Sequence, residues 1–216
     1  AVPEVSWSPD GRWIAYSRPD EEYNHDVWIV PADGSAAPVN ISMDPADDGG
    51  ADWSPDGTML AFHSYRGSDW DIYMVYLTKA AALEADREAA DDVDDLADQD
   101  DPPVEPAPSE PASEQAEAEE AGDDDTLVVE IDFEGIHRRL RRIASSSANE
   151  TYPRFSPDSE TIAYSYSWEA ERGLWRMSAR GEDKSQIQSG SVGSYRWDQK
   201  GKGLYALVGG RLNYVK

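Results

Sequence analysis

The side chains that could do chemistry in this sequence are three histidines, His25, His63 and His137, with the serines and acids around them. A serine hydroxyl attacks an acyl group only once a neighbouring base takes its proton, and a third group must orient that base. None of the three histidines belongs to a motif that does this. His25 lies in an Asp-rich inter-strand loop, His63 alternates within a strand, and His137 sits in an arginine-rich turn. Each reads as structural or surface. Ser189-Gly190-Ser191-Val192-Gly193 lacks the first glycine of a nucleophile elbow and reads as a loop. Asp44-Pro45-Ala46-Asp47-Asp48-Gly49-Gly50 gathers acids and glycines, yet it lacks the alternating ligand spacing of a calcium loop. There is no H-E-x-x-H, no phosphate-binding loop and no dinucleotide fingerprint. Cysteine is absent, which removes disulfides, thiolate metal sites and a thiol nucleophile together. Asn40-Ile41-Ser42 and Asn149-Glu150-Thr151 match the glycosylation sequon, a pattern that matters only in a eukaryotic secretory setting. No catalytic, cofactor-binding or metal-ligating residue is assigned, and no cofactor is implied.

The elements that would have to position any site are written as a repeat. Trp7-Ser8-Pro9-Asp10-Gly11 and Trp53-Ser54-Pro55-Asp56-Gly57 are identical. Phe155-Ser156-Pro157-Asp158-Ser159 keeps the aromatic and the turn, and Trp197-Asp198-Gln199-Lys200-Gly201 keeps the Trp and the Gly. Pro presets φ for the turn, Asp bonds back to the local backbone, and Gly accepts the positive φ that follows. This predicts a tight hairpin with a bulge. The second strands share one pattern in Arg12–Ser17, Met59–Ser64 and Thr161–Ser165: aliphatic, Ala, aromatic, small polar. The central Ala marks a close approach of two sheets. Third strands follow at Asp26–Val30, Asp71–Val75 and Gly173–Met177, and fourth strands at Val39–Ser42 and Ser185–Ile187. Four strands per unit of roughly 40–45 residues, each with an aromatic motif, predict the blades of an all-β propeller. The last repeat runs through Leu204–Val208, a Gly209-Gly210 turn and Arg211–Val215, and it stops one strand short. The expectation is a partial ring of three full repeats and a truncated fourth.

The net charge of −25 has a location. Residues 80–126 hold 19 of the 44 acidic residues and one of the 19 basic ones, a net of −18, which leaves −7 for the rest. Three segments result: 1–79 with the first blade and the start of the second, an acidic insertion at 80–126, and 127–216 with the remainder. Ala80–Ala90 is rich in helix formers and predicts two or three helical turns. Beyond Asp91 the composition cannot offset its ordering entropy and reads as disordered. Leu127–Phe133 alternates as a strand, a turn follows at 134–138, and the next strand completes the second blade. The arginines that follow His137 read as a charged blade edge. A chain this acidic disfavours nucleic acid, and no apolar stretch is long enough to span a membrane. No signal peptide is visible and the chain opens on Ala1, which reads as a processed or excised segment.

The Trp-Ser-Pro-Asp-Gly motif with its aliphatic-Ala-aromatic strand resembles the WD40-like propeller repeat shared by TolB and the tricorn-type peptidases. A narrower resemblance lies in Asp71–Lys79, the charged insertion, and Val129-Glu130-Ile131-Asp132-Phe133-Glu134-Gly135-Ile136-His137 with arginines following. With the closing Trp197–Gly201 and Gly209–Leu212, that order is similar to the second propeller of tricorn-type serine peptidases. In that family the propellers precede a PDZ domain and a catalytic core of the carboxy-terminal processing peptidase type, and guide or filter peptides toward it. The resemblance implies a non-catalytic propeller region of a larger serine peptidase. Its partners would be peptides or proteins and the remaining propeller, PDZ and catalytic domains. The alternatives are a stand-alone TolB-like binding module and, more weakly, the propeller of a prolyl-oligopeptidase-like enzyme. Exposed strand edges would also permit a homo-oligomer. A cytoplasmic setting is expected, with a periplasmic one as the alternative.

Overall fold

The repeated turn folds the same way each time. In the computed structural model, which describes residues 4–19, 23–97 and 127–216, the Gly11 and Gly57 amides donate to the Ser8 and Ser54 carbonyls at 2.9 Å. The fourth residue of the motif binds back to the backbone: Asp10, Asp56 and Asp158 accept from the amides of Arg12, Thr58 and Glu160. Gly11, Gly57 and Gly201 take φ near +70° (70°, 73° and 66°), and Ser159 holds the same conformation at 66° without being glycine. The serine hydroxyl of the motif closes the hairpin mouth by accepting from Trp13, Met59 and Thr161.

These hairpins seed four antiparallel sheets. The first joins β1 (Val5–Trp7), β2 (Trp13–Pro19), β3 (His25–Pro31) and β4 (Val39–Asn40) in that order. The second joins β5 (Asp48–Trp53), β6 (Met59–Ser64), β7 (Asp71–Tyr76) and β8 (Leu140–Arg142). The third joins β9 (Asn149–Phe155), β10 (Thr161–Trp168), β11 (Glu171–Ser178) and β12 (Ser185–Ser189). The fourth has three strands, β13 (Val192–Trp197), β14 (Leu204–Val208) and β15 (Arg211–Val215). The first strands of successive sheets pack against one another, which puts them on the inner side. This is an all-β array of four propeller blades, the last of three strands, as the repeat predicts.

Three cores hold the blades together, one at each junction. The first unites Ala15, Val27 and Ile29 with Trp53, Leu60 and Phe62. The second unites Ala61, Ile72 and Met74 with Phe155, Ile162 and Tyr164. The third unites Ala163 and Leu174 with Leu204, Ala206 and Val215. Ala15, Ala61 and Ala163 are fully buried, so the central Ala does mark the close approach of sheets. Burial of the large apolar side chains at these contacts is the main stabilising term of the array.

The insertion departs from the sequence reading in two places. Its helix, α1 (Lys79–Ala97), runs past Asp91 rather than ending after two or three turns. The disorder expected beyond Asp91 is therefore not found through Ala97, and the rest of that expectation falls on residues 98–126, which lie outside the described residues. Leu127–Phe133, expected as a strand, joins no ladder. Its backbone is committed elsewhere: the Val129 amide donates to Asp10 and its carbonyl accepts from the Trp13 indole, while the Asp132 amide donates to the Leu77 carbonyl. The chain then makes a short 3₁₀ turn (Ile136–Arg139) and pairs β8 against β7, completing the second blade.

Candidate axial cleft

The inner strands gather the polar side chains that the blades leave over. On β9, Tyr152 takes a left-handed backbone at φ 55°, a costly conformation for a bulky residue that must be held by its surroundings. What holds it is His63 on β6. The Tyr152 amide donates to His63 Nδ1 at 3.2 Å, and the two rings meet edge to face at 4.8 Å. Trp70 packs on the same imidazole at 5.0 Å. Burial, followed by the nearby Arg154 cation, pushes the His63 pKa down to about 4, so the ring is neutral and serves as acceptor. The Gly49-Gly50 pair makes room for it: a Cβ on Gly50 would stand 2.5 Å from the imidazole, and Gly50 itself has φ 64°.

Arg154 projects beside Tyr152. It lies 3.8 Å from the Asp52 carboxylate of β5 and donates to the Pro153 carbonyl at 2.8 Å. Asp52 also accepts from the Phe155 amide at 2.8 Å. Burial raises the Asp52 pKa, against the opposing pull of Arg154 and the amide. From β13, the Tyr195 hydroxyl donates to the Tyr152 carbonyl at 2.5 Å, and burial raises its pKa. Tyr152, Arg154, Ser165, Ser194 and Tyr195 line a cleft of about 290 Å³, which Glu4 reaches from the first blade. The cleft therefore offers a guanidinium, an aromatic face, two hydroxyl-bearing serines and a carboxylate. Such a set can hold an extended peptide by hydrogen bonds and ring contacts, and it contains no nucleophile paired with a base.

The residues singled out in the sequence lie apart. His25 meets Asp47 at 3.2 Å on the exposed end of β3, rather than in a loop. His63 belongs to the cleft's supporting layer, and His137 stands exposed on the 3₁₀ turn. None of the three is hydrogen-bonded to a serine hydroxyl among the described residues. Ser189–Gly193 turns from β12 into β13. The acids of 44–50 have partners: Asp44 and Asp48 lie 3.6 and 3.5 Å from Arg66, and Asp47 accepts from the His25 amide at 3.0 Å and meets its ring at 3.2 Å. Among the described residues no group of three His, Cys, Asp or Glu side chains is placed to hold a metal ion. No described helix is long and apolar enough to cross a membrane.

The arginine run is a correction to the sequence reading. Arg139 is buried rather than edge-exposed, and its guanidinium donates to the carbonyls of Tyr76, Leu77, Asp132 and Glu134. It clasps the base of the insertion. Arg141 pairs with Asp86 of α1 and Arg142 with the buried Asp71. Sequence reasoning also missed Tyr152 and Arg154. The Arg154 position was detectable as the residue before the motif aromatic, where Ser6, Asp52 and Arg196 stand in the other repeats.

No family model matches the chain, and no curated protein sequence does. Solved structures match its fold. TolB from Acinetobacter baumannii aligns with a TM-score of 0.59 at 13% identity, over 99% of this chain and 42% of that one. The tricorn protease aligns with a TM-score of 0.57 at 12% identity, over 98% of this chain and 20% of that one. A putative TolB from Agrobacterium tumefaciens gives 0.54 at 15% identity, over 88% and 52%. The chain thus spans about half or less of these proteins. The likeness is one of fold: a β-propeller of the kind found in TolB and in peptidase propeller domains.

Proposed function

We propose that the chain is the non-catalytic propeller region of a tricorn-like serine peptidase, and that its axial cleft contacts peptides on their way to a catalytic core carried elsewhere. The observation that carries this is the cleft itself, where a strained tyrosine and a half-neutralised arginine sit on the inner strands with no nucleophile–base pair beside them. The order of motifs around the insertion supports the peptidase setting, and the cytoplasm is the compartment we assign to it. The remaining propeller, PDZ and catalytic domains of that parent are its covalent partners.

Fluorescence anisotropy of labelled unstructured peptides tests the cleft. Binding should be weak for the chain alone and lost in Arg154→Ala and Tyr195→Phe, with the fold retained by circular dichroism. Peptide binding that is unchanged in both variants would refute the assignment of the cleft. The mass of the native gene product separates the two settings. A product several-fold larger than 23.9 kDa supports the peptidase, and one near that mass supports a TolB-like module instead.

A further inference from the structure

The three junctions between blades follow one rule. In each, the later blade turns its motif aromatic and the next strand's aliphatic onto the blade before it. Trp53 with Leu60, Phe155 with Ile162, and Trp197 with Leu204 are these pairs, each directly opposite in the ladder. The earlier blade offers its central alanine. The contact is pinned at the inner strand: the Trp53 indole donates to the Ser6 carbonyl at 3.2 Å and the Trp197 indole to the Arg154 carbonyl at 2.9 Å. Phe155 has no indole N–H, and there the backbone amide donates to Asp52 instead.

The first blade carries the same half-junction, and among the described residues no other blade packs on it; only the Arg18 guanidinium of the same blade lies over Trp28, at 3.8 Å. Trp7 pairs with Ile14 in the register of the other three, and it is 59% exposed where Trp53 and Phe155 are 5% and 6%. Ile14, Tyr16 and Trp28, on the same face, are only half-buried, whereas Leu60 and Phe62 at the first two of these positions are fully buried. The outward face of the last blade does not supply the missing half. Tyr205 stands where Ala15, Ala61 and Ala163 stand in the other blades, and its ring packs against Tyr214 at 5.2 Å. A tyrosine at that point holds an approaching sheet away, so the fourth blade of a second copy is a poor mate.

We infer that the open face of the first blade is one side of a further propeller junction. Its occupant is another blade of this repeat, with a small residue at the centre of its second strand and an inner-strand carbonyl that accepts the Trp7 indole N–H. The inference rests on the reading of the chain as part of a larger propeller protein, and it is independent of whether the cleft binds peptide.

Hydroxyl-radical footprinting of the gene product as cells make it, beside the 216-residue chain, tests this. Trp53 serves as the protected reference and Trp168, 44% exposed, as the open one. At a concentration where light scattering reports one chain per particle, Trp7 of the gene product should oxidise as slowly as Trp53. In the 216-residue chain it should oxidise as fast as Trp168. Oxidation of Trp7 at the Trp168 rate in the gene product would overturn the inference. So would protection that appears only when the product dimerises, which would point to a second copy. Trp7→Phe gives an independent reading: the urea midpoint should drop in the gene product and stay put in the 216-residue chain, and equal effects in both would also overturn it. Failure of peptide binding at the cleft would leave all of these outcomes unmoved.

Discussion

Replacing Asp48 by Asn should stabilise the protein at neutral pH and lose that advantage in acid. Asp48 sits at the start of β5 with a fully buried side chain, and the Ser64 and Ser42 hydroxyls beside its carboxylate only partly offset that burial. Arg66, 3.5 Å away, is shared with Asp44, and Asp26 adds a like charge nearby. Burial is the largest influence and raises the pKa to about 6. The sign follows from linkage. The folded state holds its proton more tightly than the unfolded chain, so stability is lost as pH rises from the unfolded value toward 6 and the loss is complete above it. A shift of that size costs the wild type about 3 kcal/mol at pH 7, about 1.5 kcal/mol at pH 5 and about 0.5 kcal/mol at pH 4. Asn keeps the shape and does not titrate, and Arg66 keeps Asp44. Urea unfolding of both proteins from pH 4 to pH 8, compared as the difference at each pH, isolates this residue. The comparison must be a difference because His63 works in the opposite direction. Its pKa is lowered to about 4, so its neutral burial contributes stability above the unfolded value that is lost as pH falls toward 4. The gap between variant and wild type should widen by about 2.5 kcal/mol from pH 4 to pH 7. A gap that is flat with pH, or widens toward acid, would refute the reasoning.

Gly50→Ala forces a side chain into a left-handed position and against the His63 ring, and should cost about 2 kcal/mol or more. Because His63 accepts from Tyr152, the same variant should weaken peptide binding at the cleft, read by anisotropy. Arg139→Met removes the donor to four carbonyls at the base of the insertion and should cost about 3 kcal/mol. Limited proteolysis should then cut near Leu77 and Phe133 well before the blades unfold.

The blades were legible because their signals are local. The motif turn, the position of the central Ala and the hairpin of Leu204–Val208 with Arg211–Val215 each follow from residues within one unit. What escaped was decided by partners far away in the chain. Leu127–Phe133 has the alternation of a strand, but its amides and carbonyls go to Asp10, Trp13 and Leu77, which no local pattern reveals. Arg139 looks like its neighbours Arg138 and Arg141, and only the fold shows that four carbonyls converge on it. The helix past Asp91 defied an acidic composition that favours solvation over order. The cleft was hidden for the same reason: Tyr152 owes its conformation to His63 on another blade, and nothing in the Thr151–Arg154 sequence announces it.

The route of the chain through the second blade bears on how the protein folds. Strand β8 pairs with β7 only after the chain has travelled from Tyr76 through the insertion and back to Leu140. The other outer strands close within a few residues of their neighbours, so this ladder is the one of highest contact order and should be among the last to zip. Its equilibrium cost is nonetheless small. Loop-closure entropy grows only with the logarithm of length, so halving the roughly sixty intervening residues would change stability by about 0.6 kcal/mol. The clasp of Arg139 and the Asp132 amide fixes the two ends of the excursion regardless of what lies between them. The second blade thus behaves as a socket: sequence of almost any length can be spliced there, slowing assembly far more than it weakens the finished propeller.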